Sequence, residues 1–225
     1  LGVDAVTIAA PTHLHRDVSL ACIARGVHLL VEKPIASTVE EGREIIAAAR
    51  KAGVQLMVGH VERFNPALQS AQSKLGVPLF IECHRLAPFK PRGVDVDVVL
   101  DLMIHDLDVI LSLVQSEPAR VSAVGVPVLT EDVDIANARI EFASGAVANV
   151  TASRVSTSAQ RRFRVFQPNQ YVSIDFGSGE VRRVTKTGEW REGAPPLHEE
   201  TWNLEKGDAL LAETKSFVAA IRDDK

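Results

Sequence analysis

Asp101 and His105 stand four residues apart in the run Asp101-Leu102-Met103-Ile104-His105-Asp106-Leu107-Asp108. On a helix this spacing puts a carboxylate one turn before an imidazole, where it can hold the ring in one tautomer and stabilise its protonated form. A histidine so held can act as a general acid or base. The pattern predicts a helix over 98–114, with Asp101, His105, Asp108 and Ser112 on a polar stripe. Leu100, Met103, Leu107, Ile110 and Val114 fall on an apolar stripe beside it. Taken alone, the pair also fits an ordinary solvated helix face.

A second group is Glu32-Lys33-Pro34, directly after the apolar run 27–31. Ligands of open parallel sheets bind at the carboxyl ends of the strands, which is where this run delivers Lys33. Pro34 biases Lys33 toward extended backbone. A third group, Pro11-Thr12-His13-Leu14-His15, follows the apolar stretch 5–9. Thr12 is expected to cap the next helix, whose free amides would suit an anion or a ribose-phosphate. His13 and His15 lack a companion at a recognised metal-ligand spacing, so no metal is expected. In a fourth group, Gly59-His60-Val61-Glu62-Arg63-Phe64-Asn65-Pro66, polar side chains crowd one strand exit. It reads equally as a ligand-lining turn or a capped junction. His84 and His198 have no such company and read as structural or surface residues.

The elements that must position these groups alternate between two periods. Strands are expected at 5–9, 28–31 and 55–58. The intervening helices span 13–25, with Leu14, Val18, Ala21, Cys22 and Ala24 inward, and about 38–52. Ser37 and Thr38, each three residues before a glutamate, offer two overlapping capping boxes. Strand–helix–strand–helix–strand with short connections predicts part of a doubly wound parallel sheet. Beyond Gly59, helices are expected at 66–75, 98–114 and 208–222. A strand is expected at 79–86, and alternating strands from 121 to about 185 are separated by Ser144-Gly145, Pro168-Asn169 and Gly177-Ser178-Gly179. The fold class is therefore α/β: a partial Rossmann domain at 1–60, then an α+β domain at 61–225 with a mostly antiparallel open sheet.

A chain of 225 residues with 46% hydrophobic and 24% charged residues can bury a substantial core. Its net charge of -4 and lack of a basic block disfavour nucleic acid as a partner. No apolar run reaches the roughly 20 residues of a membrane span. The two cysteines, Cys22 and Cys83, read as buried thiols in a reducing cytoplasm. The chain opens on a strand and closes in a helical pattern, so a fragment of a longer protein is expected.

Taken together, Pro11-Thr12-x-x-His15, Val31-Glu32-Lys33-Pro34 and Asp101-x-x-x-His105 resemble the Gfo/Idh/MocA family of NAD(P)-dependent oxidoreductases, in order and spacing. The resemblance implies a Rossmann domain and a second domain whose open sheet forms a homo-oligomer contact. It implies catalytic roles for Lys33, His105 and Asp101, and contact of Ala10, Pro11, Thr12, His15, Glu32 and Lys33 with NAD or NADP. The family's glycine-rich turn has no counterpart after residue 1. The stretches 58–66 and 95–106 are similar to the branch that oxidises the 3-hydroxyl of UDP-N-acetylglucosamine. Arg63, Asn65 and His105 are the implied substrate contacts, and Arg63, Lys90 and Arg92 are available for a diphosphate. An inositol, aldose or dihydrodiol dehydrogenase, or a catalytically silent dinucleotide sensor, remains open. So does the choice of Lys33 or His105 as base, because burial can lower a lysine pKa.

Overall fold

A computed structural model describes residues 2–90, 96–189, 193, 196–205 and 207–223. The chain forms two compact units, Leu1–Phe64 with Asp208–Lys225, and Asn65–Gly207. The final helix thus belongs to the first unit, unlike the expected division into 1–60 and 61–225. Its sequence signals a helix but not the sheet it covers.

In the first unit, β1 (Ala5–Ile8), β2 (His28–Glu32) and β3 (Leu56–Gly59) form a parallel sheet in that order. Leu29, Leu30 and Val31 in the central strand are buried on both faces, as parallel sheets flanked by helices require. Helix α1 (His15–Ile23) links β1 to β2, and α2 (Val39–Ala52) links β2 to β3. Of the two possible capping boxes, the chain uses Thr38 and Glu41: the Thr38 hydroxyl accepts from the Glu41 amide, and the Glu41 carboxylate accepts from the Thr38 amide. Gly53, at φ 67°, ends α2 in the left-handed conformation that glycine adopts without a Cβ penalty.

Helix α1 corrects the expected phase. It starts at His15, after a 3₁₀ turn at Thr12–Leu14, and its buried residues are His15, Ser19 and Ile23. Leu14 and Val18, expected inward, are 41% and 37% exposed. The tight turn shifts the helix phase, and His15 has polar partners inside. Helix α5 (Ala209–Arg222) packs against β2 and the 3₁₀ turn Val61–Phe64, burying Glu213 and Phe217.

The second unit holds β4 (Phe80–Leu86), β5 (Pro118–Val126), β6 (Ile135–Phe142), β7 (Val147–Ser153), β8 (Gln160–Gln167), β9 (Gln170–Asp175), β10 (Glu180–Lys186) and β11 (Leu197–Asn203). The sheet order is β11-β10-β9-β8-β4-β7-β6-β5, and only the β4–β7 pair among these is parallel. The expected turn signals lie where the strands reverse, with Asn169 and Gly179 at positive φ. Strand β11 was not anticipated: its run Leu-His-Glu-Glu-Thr-Trp-Asn has few apolar residues, and pairing with β10 defines it.

Alternate residues of β4 and β7 are buried, and α3 (Pro66–Gln72) and α4 (Ile104–Val114) contribute to the same core. The opposite sheet face carries charge pairs, including Arg139–Glu141. Edge strand β5 is exposed along its whole length. The expected helix 98–114 begins with a π-helical turn, Val99–Met103, before α4. The wider turn changes the inward phase: Val99 and Leu102, not Leu100, join Met103, Leu107, Ile110 and Val114 at the core.

Candidate functional site

The parallel register pairs Ile8 with Val31 and Glu32 with Gly59, so all three strands of the first unit end on the same edge. Ala10, Pro11 and Thr12 leave β1 there, and Lys33 leaves β2. The Lys33–Pro34 peptide is cis. Gly59 permits close approach: a Cβ there would lie 2.9 Å from Glu32 Oε2 and 3.3 Å from Glu32 Cα. The glycine thus lets the Glu32 side chain lie across the end of β3.

His15 is fully buried. Its Nδ1 is 2.9 Å from the Pro34 carbonyl and its Nε2 is 2.8 Å from the Ala10 carbonyl. It braces the loop after β1 against the loop after β2, with either tautomer donating to one of these carbonyls. Its place is therefore behind the two loops, not on a surface offered to a ligand. Thr12 corrects another expectation, for it lies within the 3₁₀ turn and caps no helix. Its hydroxyl has no hydrogen-bond partner among the described residues. A hydroxyl, an ammonium and a carboxylate from Thr12, Lys33 and Glu32 at one strand edge form a donor and acceptor set suited to a nicotinamide nucleotide.

Glu213 escaped the sequence reading. It is 0% exposed on α5, and neither carboxylate oxygen has a hydrogen-bond partner among the described residues. Burial, reinforced by the negative charge of Glu32, pushes its carboxyl up to about 7. The available signal was its position one turn before Phe217 on the buried stripe of the last helix. Arg63 is exposed in the Val61–Phe64 turn of the same unit.

In the second unit, Asp101 and His105 are both half-buried, Asp101 in the π-helical turn and His105 in α4. Asp97 starts the turn by accepting from the amides of Val99 and Leu100, at 2.9 and 3.0 Å. Asp106 faces inward and forms a two-pronged pair with Arg85 of β4, Nε to Oδ2 at 2.9 Å and Nη2 to Oδ1 at 3.0 Å. Both side chains are about 5% exposed or less. The pair ties the helix carrying His105 to the sheet. Its sequence signal was a charged residue, Asp106, on the inward face between Met103 and Ile110.

Asp101 also lines a cavity of about 340 Å³ with Leu102, Lys90, Arg154 and Arg161. Arg154 is held in place, its Nη2 donating to the Val96 carbonyl at 2.6 Å and its Nε lying 3.9 Å from Asp134. Burial would raise the Asp134 carboxyl, but the amides of Leu129, Thr130 and Val128 and the Thr130 hydroxyl outweigh it and hold the group low. Asn65 has a structural task, its Oδ1 accepting from the Ala67 amide at 3.0 Å at the start of α3. Arg92 and Asp95 lie outside the described residues. Among the described residues, no group of three or more potential ligands is arranged for a metal. Cys22 and Cys83 are free thiols, Cys22 only half-buried. No described helix is long and apolar enough to cross a membrane.

Residues 2–60 match the oxidoreductase family with an NAD-binding Rossmann fold, and residues 70–169 match the Gfo/Idh/MocA C-terminal domain. The chain is 42% identical over 220 residues to the UDP-N-acetylglucosamine 3-dehydrogenase of Acidithiobacillus ferrooxidans, covering 97% of this chain and 70% of that protein. A solved structure of that enzyme superposes with a TM-score of 0.92 at 41% identity, covering 99% of this chain and 72% of that one. The scyllo-inositol 2-dehydrogenase (NAD(+)) of Bacillus subtilis is 32% identical over 170 residues, covering 69% of this chain and 50% of that protein. Levoglucosan dehydrogenase in complex with NADH shares the fold at 20% identity, with a TM-score of 0.85, covering 99% of this chain and 71% of that one. With both family domains matched in order and a relative 42% identical over nearly the whole chain, the chain belongs to the Gfo/Idh/MocA family of NAD-binding oxidoreductases.

Proposed function

We propose that this chain carries the reacting groups of an enzyme that exchanges hydride between NAD and the 3-hydroxyl of UDP-N-acetylglucosamine. The observation behind this reading is that a chain 42% identical to such an enzyme over nearly its whole length also carries Lys33 at a strand end and an Asp101–His105 pair at helical spacing. The nicotinamide, when bound, supplies the redox chemistry by accepting the carbinol hydride. Ala10, Pro11, Thr12, Glu32 and Lys33 would hold it, with His15 bracing two of their loops from behind.

The protein's own task is to orient the alcohol and manage one proton. His105, oriented by Asp101, takes the hydroxyl proton as the carbon–oxygen bond becomes a carbonyl. Lys33 donates a hydrogen bond to the same oxygen and stabilises the negative charge that develops there. The two residues belong to different units, so their convergence on one oxygen is part of the proposal. Arg63 and His105 are the proposed substrate contacts. We place the reaction in the cytoplasm, where free thiols persist, and assign the open sheet of the second unit to contact with a second copy.

The test is kinetic, in the complete protein. Lys33→Ala and His105→Ala should each lower kcat by about 10²–10⁴-fold, as expected for positioned acid–base groups. The double variant should be little worse than either single one, because the two act as a unit. Asp101→Asn should fall between. Near-normal turnover in either alanine variant would remove that residue from the mechanism. Equal kcat/KM for UDP-N-acetylglucosamine and the free sugar would remove the substrate assignment. Preference for an inositol would favour the second reading, which the 32% identical Bacillus enzyme motivates.

A further inference from the structure

The cavity beside Asp101 has an unbalanced charge. Among the described residues, three cations line it, Lys90, Arg154 and Arg161, against the single carboxylate of Asp101. Arg154 is matched by Asp134. The side chains of Lys90 and Arg161 are exposed and make no hydrogen bond or ion pair among the described residues. Like charges gathered in a concave, partly desolvated space repel one another unless an anion joins them. Guanidinium groups also match phosphate oxygens in a two-pronged geometry.

Arg161 has a second role in the layout. It lies near the start of β8 and also lines an adjoining depression of about 720 Å³, with Gln160, Arg162, Asp175 and Ser178. A ligand anchored at Arg161 therefore has the acid–base stripe at Asp101 on one side and a wider polar surface on the other. That sequence of environments matches a sugar, its diphosphate and its nucleoside.

We infer that Lys90, Arg154 and Arg161 form the subsite for the diphosphate of a sugar-nucleotide substrate, with the nucleoside extending past Arg161 toward Arg162 and Ser178. This assignment rests on the sugar-nucleotide reading above. It adds residues from β8 and the β7 exit that no sequence motif marked. A cofactor also carries a diphosphate, but the described residues that line this cavity all come from the second unit, whereas the parallel strand ends belong to the first.

The experiment measures binding of UDP and of ADP to the complete protein by calorimetry. The variants are Lys90→Gln and Arg161→Gln, both at exposed positions that should leave folding intact. Arg154 is spared, because its loss would strand the buried Asp134. UDP should bind wild type more tightly than ADP, and more weakly as salt rises. Each substitution should weaken UDP by roughly 10- to 100-fold, the range for a lost hydrogen bond to a charged group. In turnover, the KM for UDP-N-acetylglucosamine should rise by a similar factor, well beyond any change in kcat.

UDP affinity within about twofold of wild type in both variants would overturn the subsite. So would ADP binding as tightly as UDP and weakening in parallel with it. If UDP binding follows these substitutions while UDP-N-acetylglucosamine is not oxidised, the subsite stands and the substrate reading falls. If the sugar nucleotide is oxidised with an unchanged KM in both variants, the substrate reading stands and the subsite falls.

Discussion

Among the described residues, each unit has one carboxylate at 0% exposure, and the two are treated in opposite ways. Asp134 in the second unit accepts from the amides of Val128, Leu129 and Thr130 and from the Thr130 hydroxyl, so its charge is retained despite 0% exposure. Glu213 in the first unit is equally buried, has no such donor among the described residues and is pushed up to about 7. Burial is the same in both; the supply of hydrogen-bond donors decides whether the negative charge survives. The contrast extends to the surroundings. In the second unit the buried charges are matched, Asp106 by Arg85 and Asp134 by Arg154. In the first unit, Glu213 lies beside the glutamate that precedes Lys33, and the Thr12 hydroxyl has no hydrogen-bond partner among the described residues.

This comparison is most directly broken by removing one half of a matched pair. Asp106→Ala would leave the Arg85 guanidinium buried without its carboxylate. The expected loss is about 3–5 kcal/mol of stability, read from denaturant unfolding. Replacing both residues with well-packed apolar side chains should recover much of that loss. If Asp106→Ala costs less than about 1 kcal/mol, the second unit does not depend on charge matching as described.

The unmatched carboxylate gives a smaller effect that depends on pH. Glu213 has a folded pKa of about 7 against an ordinary value of 4.5, so the folded state binds the extra proton between these values. Stability on this account is greatest below about pH 4.5 and falls as pH rises through 7, where both states are ionised and the burial penalty is complete. Glu213→Gln removes the titration. Its stability relative to wild type should therefore improve by the order of 1–3 kcal/mol between acidic and mildly alkaline pH. A constant difference across that range would show that the carboxylate finds donors that offset its burial.

The smallest effect sharpens the comparison with an exposed group. The Thr38–Glu41 capping box satisfies helix-end amides at the surface, where water can substitute. Thr38→Ala should cost about 1 kcal/mol, independent of which buried charges are matched. Thermal unfolding of this variant gives a local baseline for the two buried-site variants.

Local chemistry was legible wherever a residue's own neighbours decide its conformation. The capping box before α2, Gly53 at its end and the turns at Asn169 and Gly179 follow from side-chain hydrogen bonds and from φ preferences that act within a few residues. The alternation of short apolar runs with helical periods likewise announced three parallel strands. Grouped motifs at strand ends and on one helix then pointed to the oxidoreductase family. Packing decided the rest, because it joins residues far apart in the chain. Periodicity put Leu14 and Val18 inward, but the Ala10 carbonyl and the more distant Pro34 carbonyl hold His15 in the interior instead. Strand β11 exists through its pairing with β10, and only packing shows that the last helix covers β2. Arg154, just past β7, and Arg161 of β8 meet Lys90 and Asp101 only around a folded cavity. A sequence states which charges the chain carries; the tertiary structure alone determines which are matched, because burial and donor supply are set by residues that are distant along the chain.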